Sequence, residues 1–222
     1  MNAPKPAKAP PQRVILEGRY VRLEPIGPQH VAGLYRAATM GDGQQRFNYL
    51  FDVAPRSEAD VGVFVQNAAP VNDPMMWAVV DNASGLAEGR QTLMRIVPEH
   101  GVIEVGNIYW GPNMARSRLS TEACYLHACY VFDELGYRRF EWKCNDRNEP
   151  SKAAALRFGF QFEGIFRQHM IQKGENRDTA WFAMLDKDWP RLKTEYERWL
   201  APDNFDAEGR QKTKLRFSEE HP

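Results

Sequence analysis

The chain has 222 residues, 43% hydrophobic and 26% charged, with 29 basic and 29 acidic side chains. This is enough for one large domain with an ordinary soluble core, and zero net charge argues against nucleic acid, whose ligands usually need a basic excess. Three cysteines (Cys124, Cys129, Cys144) form no CxxC pair, five histidines make neither HxH nor HExxH, and no run of about 18 apolar residues occurs, so a disulfide framework, a metal site and a membrane span are not expected.

Residues 1–14 open with MNAPKPAKAPP, which is rich in proline and poor in large apolar residues; a disordered tail is expected there. Residues 15–200 read as a single domain. LEGRYVRLEP has a Glu-Gly turn and then alternates as a first strand, stopped by Pro25. Pro28 opens a helix to about Met40, with Val31, Leu34, Tyr35 and Ala38 on one face. Residues 41–55 are glycine-rich and then aromatic: Phe47, Tyr49 and Phe51 either pack under the loop or wall a substrate cleft. Ser57 is placed to cap a second helix carrying Val61, Phe64, Val65 and Ala68.

Three strands follow as an antiparallel run, over 75–81, 87–97 and 102–110, with turn signals at Asn82–Gly85 and Pro98–Gly101. In the third, Ile103, Val105, Asn107 and Tyr109 alternate onto one face, and Glu104 and Gly106 onto the other. An unpartnered acid in the middle of a strand is costly. Glu104 therefore pairs with an arginine, faces solvent, or serves chemistry. Gly111-Pro112 ends the strand, and Asn113–Leu119 is a polar turn containing Arg116 and Arg118. Ser120-Thr121-Glu122 begins a helix that reaches Leu135 and closes at Gly136. RRFEWKC, residues 138–144, alternates as a strand. Asn148-Glu149-Pro150-Ser151 then opens a helix that runs to Phe158. Strands over 160–171 and 179–185 flank a Lys173–Asn176 turn. Residues 185–200 carry a C-terminal helix starting at Trp189, and 201–222 form a polar tail.

This order of elements is joined by IEVGNIYW, the STEA helix start, N-x-x-S at Asn148 and Ser151, and GFQFEG at 159–164. Together they make the chain resemble the GNAT superfamily of acetyl-CoA-dependent N-acetyltransferases, and within it the RimJ/RimL-type branch. The resemblance implies an α+β fold in α/β/α layers: a mixed, mostly antiparallel central sheet, splayed between two strands and flanked by helices. It implies acetyl-CoA as co-substrate and no metal. It places the thioester oxygen at the backbone of Asn107, Ile108 and Tyr109, and the pyrophosphate at Arg116, Ser117, Arg118, Leu119, Ser120 and Thr121. It gives Asn148 the pantetheine arm. The tyrosine that protonates the leaving thiolate in many members falls at Ala155, which leaves Ser151 for that role and for cofactor contact. The acid of the RimL type falls at Met170, so Glu104 and His169 become the candidate bases.

The pyrophosphate loop departs from the family pattern, Gln/Arg-x-x-Gly-x-Gly/Ala. Here it reads A-R-S-R-L-S, with Arg116 and Arg118 near the expected glycines. Arginine would supply charge and fork donors where glycine supplies close backbone approach. On the acceptor side, Phe47, Tyr49, Phe51 and Trp181 suggest a partly apolar cleft. The implied reaction acetylates a primary amine, a protein N-terminus or a small molecule; the alternative is a non-catalytic coenzyme-A-binding module. A homodimer follows by family analogy, and the reduced cysteines fit the cytoplasm. A basic patch of Arg138, Arg139, Lys143, Arg147 and Lys152 is the strongest feature for a nucleic-acid partner.

Overall fold

The computed structural model describes residues 5–217. Its elements in chain order are β1 (Leu16–Glu17), β2 (Val21–Pro25), α1 (Val31–Thr39), α2 (Glu58–Ala68), β3 (Met75–Asp81), β4 (Ala87–Val97), β5 (Val102–Trp110), α3 (Arg118–Cys129), β6 (Arg139–Asn145), α4 (Glu149–Arg157), β7 (Gln161–Gln172), β8 (Glu175–Leu185) and α5 (Trp189–Leu200). The strands form one eight-stranded mixed sheet in the order β1-β2-β3-β4-β5-β6-β8-β7. Every neighbouring pair is antiparallel except β5 and β6.

Alternation on the strands sorts the apolar residues to two sides. Met75, Trp77 and Val79 of β3 join Ile103 and Val105 of β5 and the buried faces of α3 and α5 in the larger core. Met76, Ala78 and Val80 face Leu34 of α1 and Val61 and Val65 of α2 on the other side. Helix α2 starts as expected: Ser57 accepts the Asp60 N–H, and the Asp60 carboxylate accepts the Ser57 N–H.

The parallel pair is short. Val102–Val105 match Arg139–Trp142, and beyond that rung the two strands part. Just past the fork β5 carries a bulge against β4: Thr92 pairs with Gly106 but Arg90 with Tyr109, and Asn107 takes a left-handed φ of 48°. The extra residue reverses the expected alternation. Ile108 and Trp110 now join the Ile103 side. Tyr109 crosses to the opposite side and packs with Ala37, Ala38 and Phe47.

Helix α3 begins two residues before the expected Ser120. Ser117 is its N-cap and accepts the Leu119 N–H at 3.2 Å. The helix ends in a π-turn over Tyr130–Glu134, and Gly136 follows with φ of 69°. Both tails are docked where they are described, which corrects the expected loose ends. In the N-terminal segment, Lys8 N–H donates to Leu135 O, Gln12 N–H to Tyr130 Oη, and Trp77 Nε1 to Val14 O. In the C-terminal segment, Phe205 and Leu215 are buried, and Asn204 Oδ1 accepts the Thr213 N–H. Residues 1–4 and 218–222 lie outside the described residues.

One buried carboxylate ties the first hairpin to α3. Glu122 accepts the N–H groups of Arg19, Tyr20 and Val21 at 2.9, 2.5 and 2.7 Å. Gly18 makes room for it, because a Cβ there would stand 2.7 Å from Glu122 Oε2. Burial pushes this carboxyl above its ordinary pKa, and the three N–H donors oppose that shift. Glu122→Ala would leave the donors without their acceptor. It is expected to lower unfolding stability by about 3 kcal/mol, read from the denaturant midpoint at unchanged m-value.

Candidate active site

The fork between β5 and β6 opens into a cavity of about 360 Å³. Gly106, Asn107 and Ile108 line one edge, Trp142–Asn145 the other, and Asn148 and Ser151 of α4 close one end. Tyr49–Asp52, His169, Met170, Arg177 and Thr179 close the far end, on the side of the sheet that packs against α1 and α2.

Asn148 caps α4. Its Oδ1 accepts the Ser151 N–H at 3.2 Å, which brings the Ser151 hydroxyl to the cavity wall. The Trp142 indole N–H donates to Ser151 Oγ at 3.0 Å. A hydroxyl that accepts such a bond becomes a better donor of its own proton. The expected tyrosine position, Ala155, is buried in the core.

Glu104 is buried and points into the same cavity. Its Oε2 lies 2.9 Å from Lys143 Nζ and 3.1 Å from Arg95 Nε. An arginine partner was among the sequence alternatives; the lysine was not. Burial raises its carboxyl pKa, while Lys143 and Arg95 draw it back. Lys143 Nζ also reaches Glu141 Oε2 at 2.7 Å and sits 3.7 Å from the centre of the Trp181 ring. Beyond it, Arg139 pairs with Glu141 and Glu163. The basic patch read from sequence is thus largely neutralised, with Lys152 on Asp146 and Glu149 and Arg147 3.7 Å from Glu175.

His169 Nδ1 is 2.9 Å from Thr179 Oγ1. That oxygen also accepts Arg177 Nε–H at 3.2 Å, and its two lone pairs have room for a second donor. The tautomer that donates from Nδ1 to Thr179 is the one that leaves the His169 lone pair on Nε2. Burial, followed by the charges of Arg95, Arg177 and Lys143, holds its pKa below the ordinary value.

The four aromatic residues expected on the acceptor side divide. Tyr49 and Phe51 line the cavity. Phe47 does not: it is buried, and its ring stacks on Tyr109 at 4.5 Å. Trp181 stands behind Lys143 and packs at a tilt against Phe166, ring centres 4.5 Å apart. Tyr109 is also outside the cavity, because its hydroxyl donates to Ala37 O at 2.8 Å. Sequence reasoning missed Lys143, Asp52 and Arg177. Arg90 reaches Asp52 at 2.5 Å and Asn107 Oδ1 at 2.9 Å, which locks the aromatic loop to the bulge.

At the start of α3, Arg116 is exposed and has φ of 54°, the left-handed conformation that glycine would take. The loop therefore keeps a glycine-like backbone without glycine. Arg118 begins the helix itself and has no need of one. Its guanidinium lies 4.3 Å from the centre of the Tyr20 ring and 5.3 Å from that of Phe205. Ser120 and Thr121 are buried, and their hydroxyls donate to Ser117 O. What the turn offers a ligand is therefore the backbone N–H groups of the first helical turn, with the positive end of the helix dipole behind them.

A GNAT acetyltransferase domain matches residues 21–161. The chain belongs to the GNAT acetyltransferase family. It is an acetyl-CoA-dependent acyltransferase. A GCN5-related N-acetyltransferase from Brucella melitensis is 54% identical, with a TM-score of 0.92 over 95% of this chain and 96% of that one. An uncharacterized N-acetyltransferase of Bacillus subtilis, YnaD, is 23% identical over 163 residues, 70% of this chain and 95% of that protein. The microcin C7 self-immunity acetyltransferase, solved with acetyl-CoA and AMP, shares the fold: TM-score 0.67, 18% identity, 76% of this chain and 93% of that one.

The donor set fits the family's co-substrate. The left-handed turn at Arg116 and the open N-terminus of α3 present backbone N–H groups of the kind that bind phosphate. Among the described residues no group of three or more His, Cys, Asp or Glu is placed to hold a metal, and no helix is long and apolar enough to cross a membrane. Arg116→Gly would ease the left-handed backbone and remove one cation from the phosphate end. It is expected to keep or slightly raise thermal stability while raising the KM for acetyl-CoA roughly threefold to tenfold, with a smaller change at high salt.

Proposed function

We propose that this GNAT enzyme moves an acetyl group from acetyl-CoA directly to a primary amine inside the fork between β5 and β6, in the manner of the RimJ/RimL branch. The observation that carries the reading is convergence: the Ser151 hydroxyl, the Glu104 carboxylate and the His169 imidazole all line the cavity that the fork opens.

Acetyl-CoA supplies an activated carbonyl and a thiolate leaving group. The backbone of Asn107 and Ile108, freed from the β6 ladder, is the donor surface for the carbonyl oxygen as negative charge builds on it. The N–H groups in the first turn of α3 that the Ser117 cap does not engage hold the pyrophosphate, Arg116 adds charge, and Arg118, committed to Tyr20 and Phe205, steadies the turn. Asn148, with its oxygen spent on the α4 cap, has its amide N–H₂ for the pantetheine arm. Ser151, polarised by the Trp142 indole, donates a proton to the departing thiolate.

On the acceptor side, His169 Nε2 accepts the amine proton, directly or through water. Glu104, paired with two cations, stabilises the positive charge that develops on the amine. Tyr49 and Phe51 provide the apolar wall. A depressed histidine pKa is useful here because the imidazole is already neutral at pH 7. The demand is modest for an α-amine, whose pKa near ~8 leaves about a tenth of it neutral at that pH. A lysine amine would cost about 3 kcal/mol more. Strand β7 lies at the sheet edge with Phe162, Ile165 and Phe166 about half exposed, which supports pairing with a second copy.

Two measurements test the roles. Ser151→Ala is expected to lower kcat about tenfold to hundredfold with acetyl-CoA affinity unchanged; unchanged turnover removes Ser151 from the reaction. For His169, a lowered pKa extends the neutral, basic form to lower pH. The acidic limb of the kcat/KM profile should therefore fall below pH ~6.5 and should vanish in His169→Gln along with most of the rate.

A further inference from the structure

The acceptor end of the cavity holds one cation too many. Lys143 and Arg95 share Glu104, and Lys143 and Arg139 share Glu141, with Glu163 completing the chain. That set has three cations and three anions. Arg90 is balanced by Asp52. Arg177 remains. It is only 7% exposed, it lines the cavity, and among the described residues it forms no ion pair. A buried guanidinium without an anion is costly. Its charge is held in place by neutral groups: Nη1 donates to Gln172 Oε1 at 3.0 Å, Nε donates to Thr179 Oγ1 at 3.2 Å, and the Phe51 ring centre is 5.2 Å from the guanidinium carbon.

Five N–H donors less those two leaves three, on Nη1 and Nη2, the edge that meets a carboxylate end-on. This anion site is not the one for the coenzyme's phosphates. Arg177 stands on the α1/α2 side of the sheet, while the phosphate turn at the start of α3 belongs to the other side. Arg177 and His169 also bind the same Thr179 hydroxyl, which puts the two side chains within roughly 6 Å of each other through that oxygen.

We propose that Arg177 is the receptor for a carboxylate carried by the acceptor itself, and that the acceptors are amino-acid-like molecules whose amine and carboxylate are separated by only a few bonds. The amine lies at His169, the carboxylate at Arg177, and Thr179 sets the distance between them. The carboxylate is either the free α-carboxylate of an amino acid or the side chain of an acidic residue at a peptide N-terminus. This rests on the acetyl-transfer reading above and adds the class of acceptor to it. It also accounts for the tether from Gln172 Nε2 to Tyr49 O at 3.0 Å, which holds the aromatic wall against the anion site.

The test uses the full chain with acetyl-CoA and matched pairs: free amino acids against their carboxamides, and peptides beginning with Asp against the same peptides beginning with Asn. The wild-type enzyme is expected to favour the carboxylate member of at least one pair by about tenfold to hundredfold in kcat/KM. Which pair responds tells free amino acid from peptide. In Arg177→Gln that preference should collapse, the acid members losing far more through KM than the amide members. A merely structural arginine would lower both members together. If the variant does not fold, the wild-type preference alone decides. Equal rates on acid and amide in every pair overturn the carboxylate receptor and leave acetyl transfer standing. No transfer to any amine removes the acetyl-transfer reading instead. Calorimetry of N-acetyl amino acids against their amides, with coenzyme A present, then judges Arg177 separately: binding confined to the acids supports it, and binding of neither or both overturns it.

Discussion

Lys143 sits where the sheet divides. The last rung shared by β5 and β6 joins Val105 to Trp142, and the next residue on β6 extends its ammonium between Glu104 of β5 and Glu141 of β6. The side chain is 5% exposed. A charge so deeply placed is tolerable only with close anions, and here two carboxylates and the Trp181 ring surround it. The cluster does what ladder hydrogen bonds no longer do past the fork: it holds two diverging strands at a set separation. Without that constraint the strands would close on each other or drift apart. The cavity, the exposed backbone of β5 and the reach of Ser151 all presuppose that separation.

The fork also gives one sheet a passage between its two sides. A closed sheet would isolate the α3 side from the α1/α2 side. The gap joins them, and in the proposed reaction it is where a coenzyme held at the start of α3 presents its thioester to an amine approaching from beneath the aromatic loop. Each side has its own electrostatic logic. Around α3 the attraction for anions comes from backbone N–H groups and a helix dipole, with Arg116 added at the rim. Around the acceptor it comes from side chains, most of them matched in pairs. At the acceptor end of the cavity most charges are matched locally, and Arg177 is a buried cation there that forms no ion pair among the described residues.

Reading the sequence found most of the elements because periodicity is a local property. The strands over 75–81, 87–97 and 102–110, the Ser57 cap, α5 at 189–200 and the Asn148–Ser151 helix start all follow from spacing and cap chemistry within a few residues. The misreadings share a cause. Strict alternation put Tyr109 beside Ile103, but a bulge at Asn107 shifts every later residue by one. The local signal is weak, an asparagine that tolerates left-handed backbone, and the bulge itself exists only in relation to β4. The docked N-terminal segment is held by contacts more than 50 residues away in sequence, such as Trp77 Nε1 to Val14 O. Arg177 was lost to a turn drawn too long, because β8 begins at Glu175 and not at Thr179.

The chain by itself determined the order of elements, the helix caps and the placement of a hydroxyl three residues after an asparagine, because these depend on neighbours along the backbone. The tertiary structure decided which charges are matched. Glu104 and Lys143 are 39 positions apart in sequence and meet only because β5 and β6 run side by side. Whether a glutamate is a lone base or half of an ion pair, and whether an arginine is balanced or waiting for an anion, depends on distances of a few ångströms between remote segments. Burial lowers the local dielectric and makes those distances decisive, and neither burial nor distance is written in the spacing of residues.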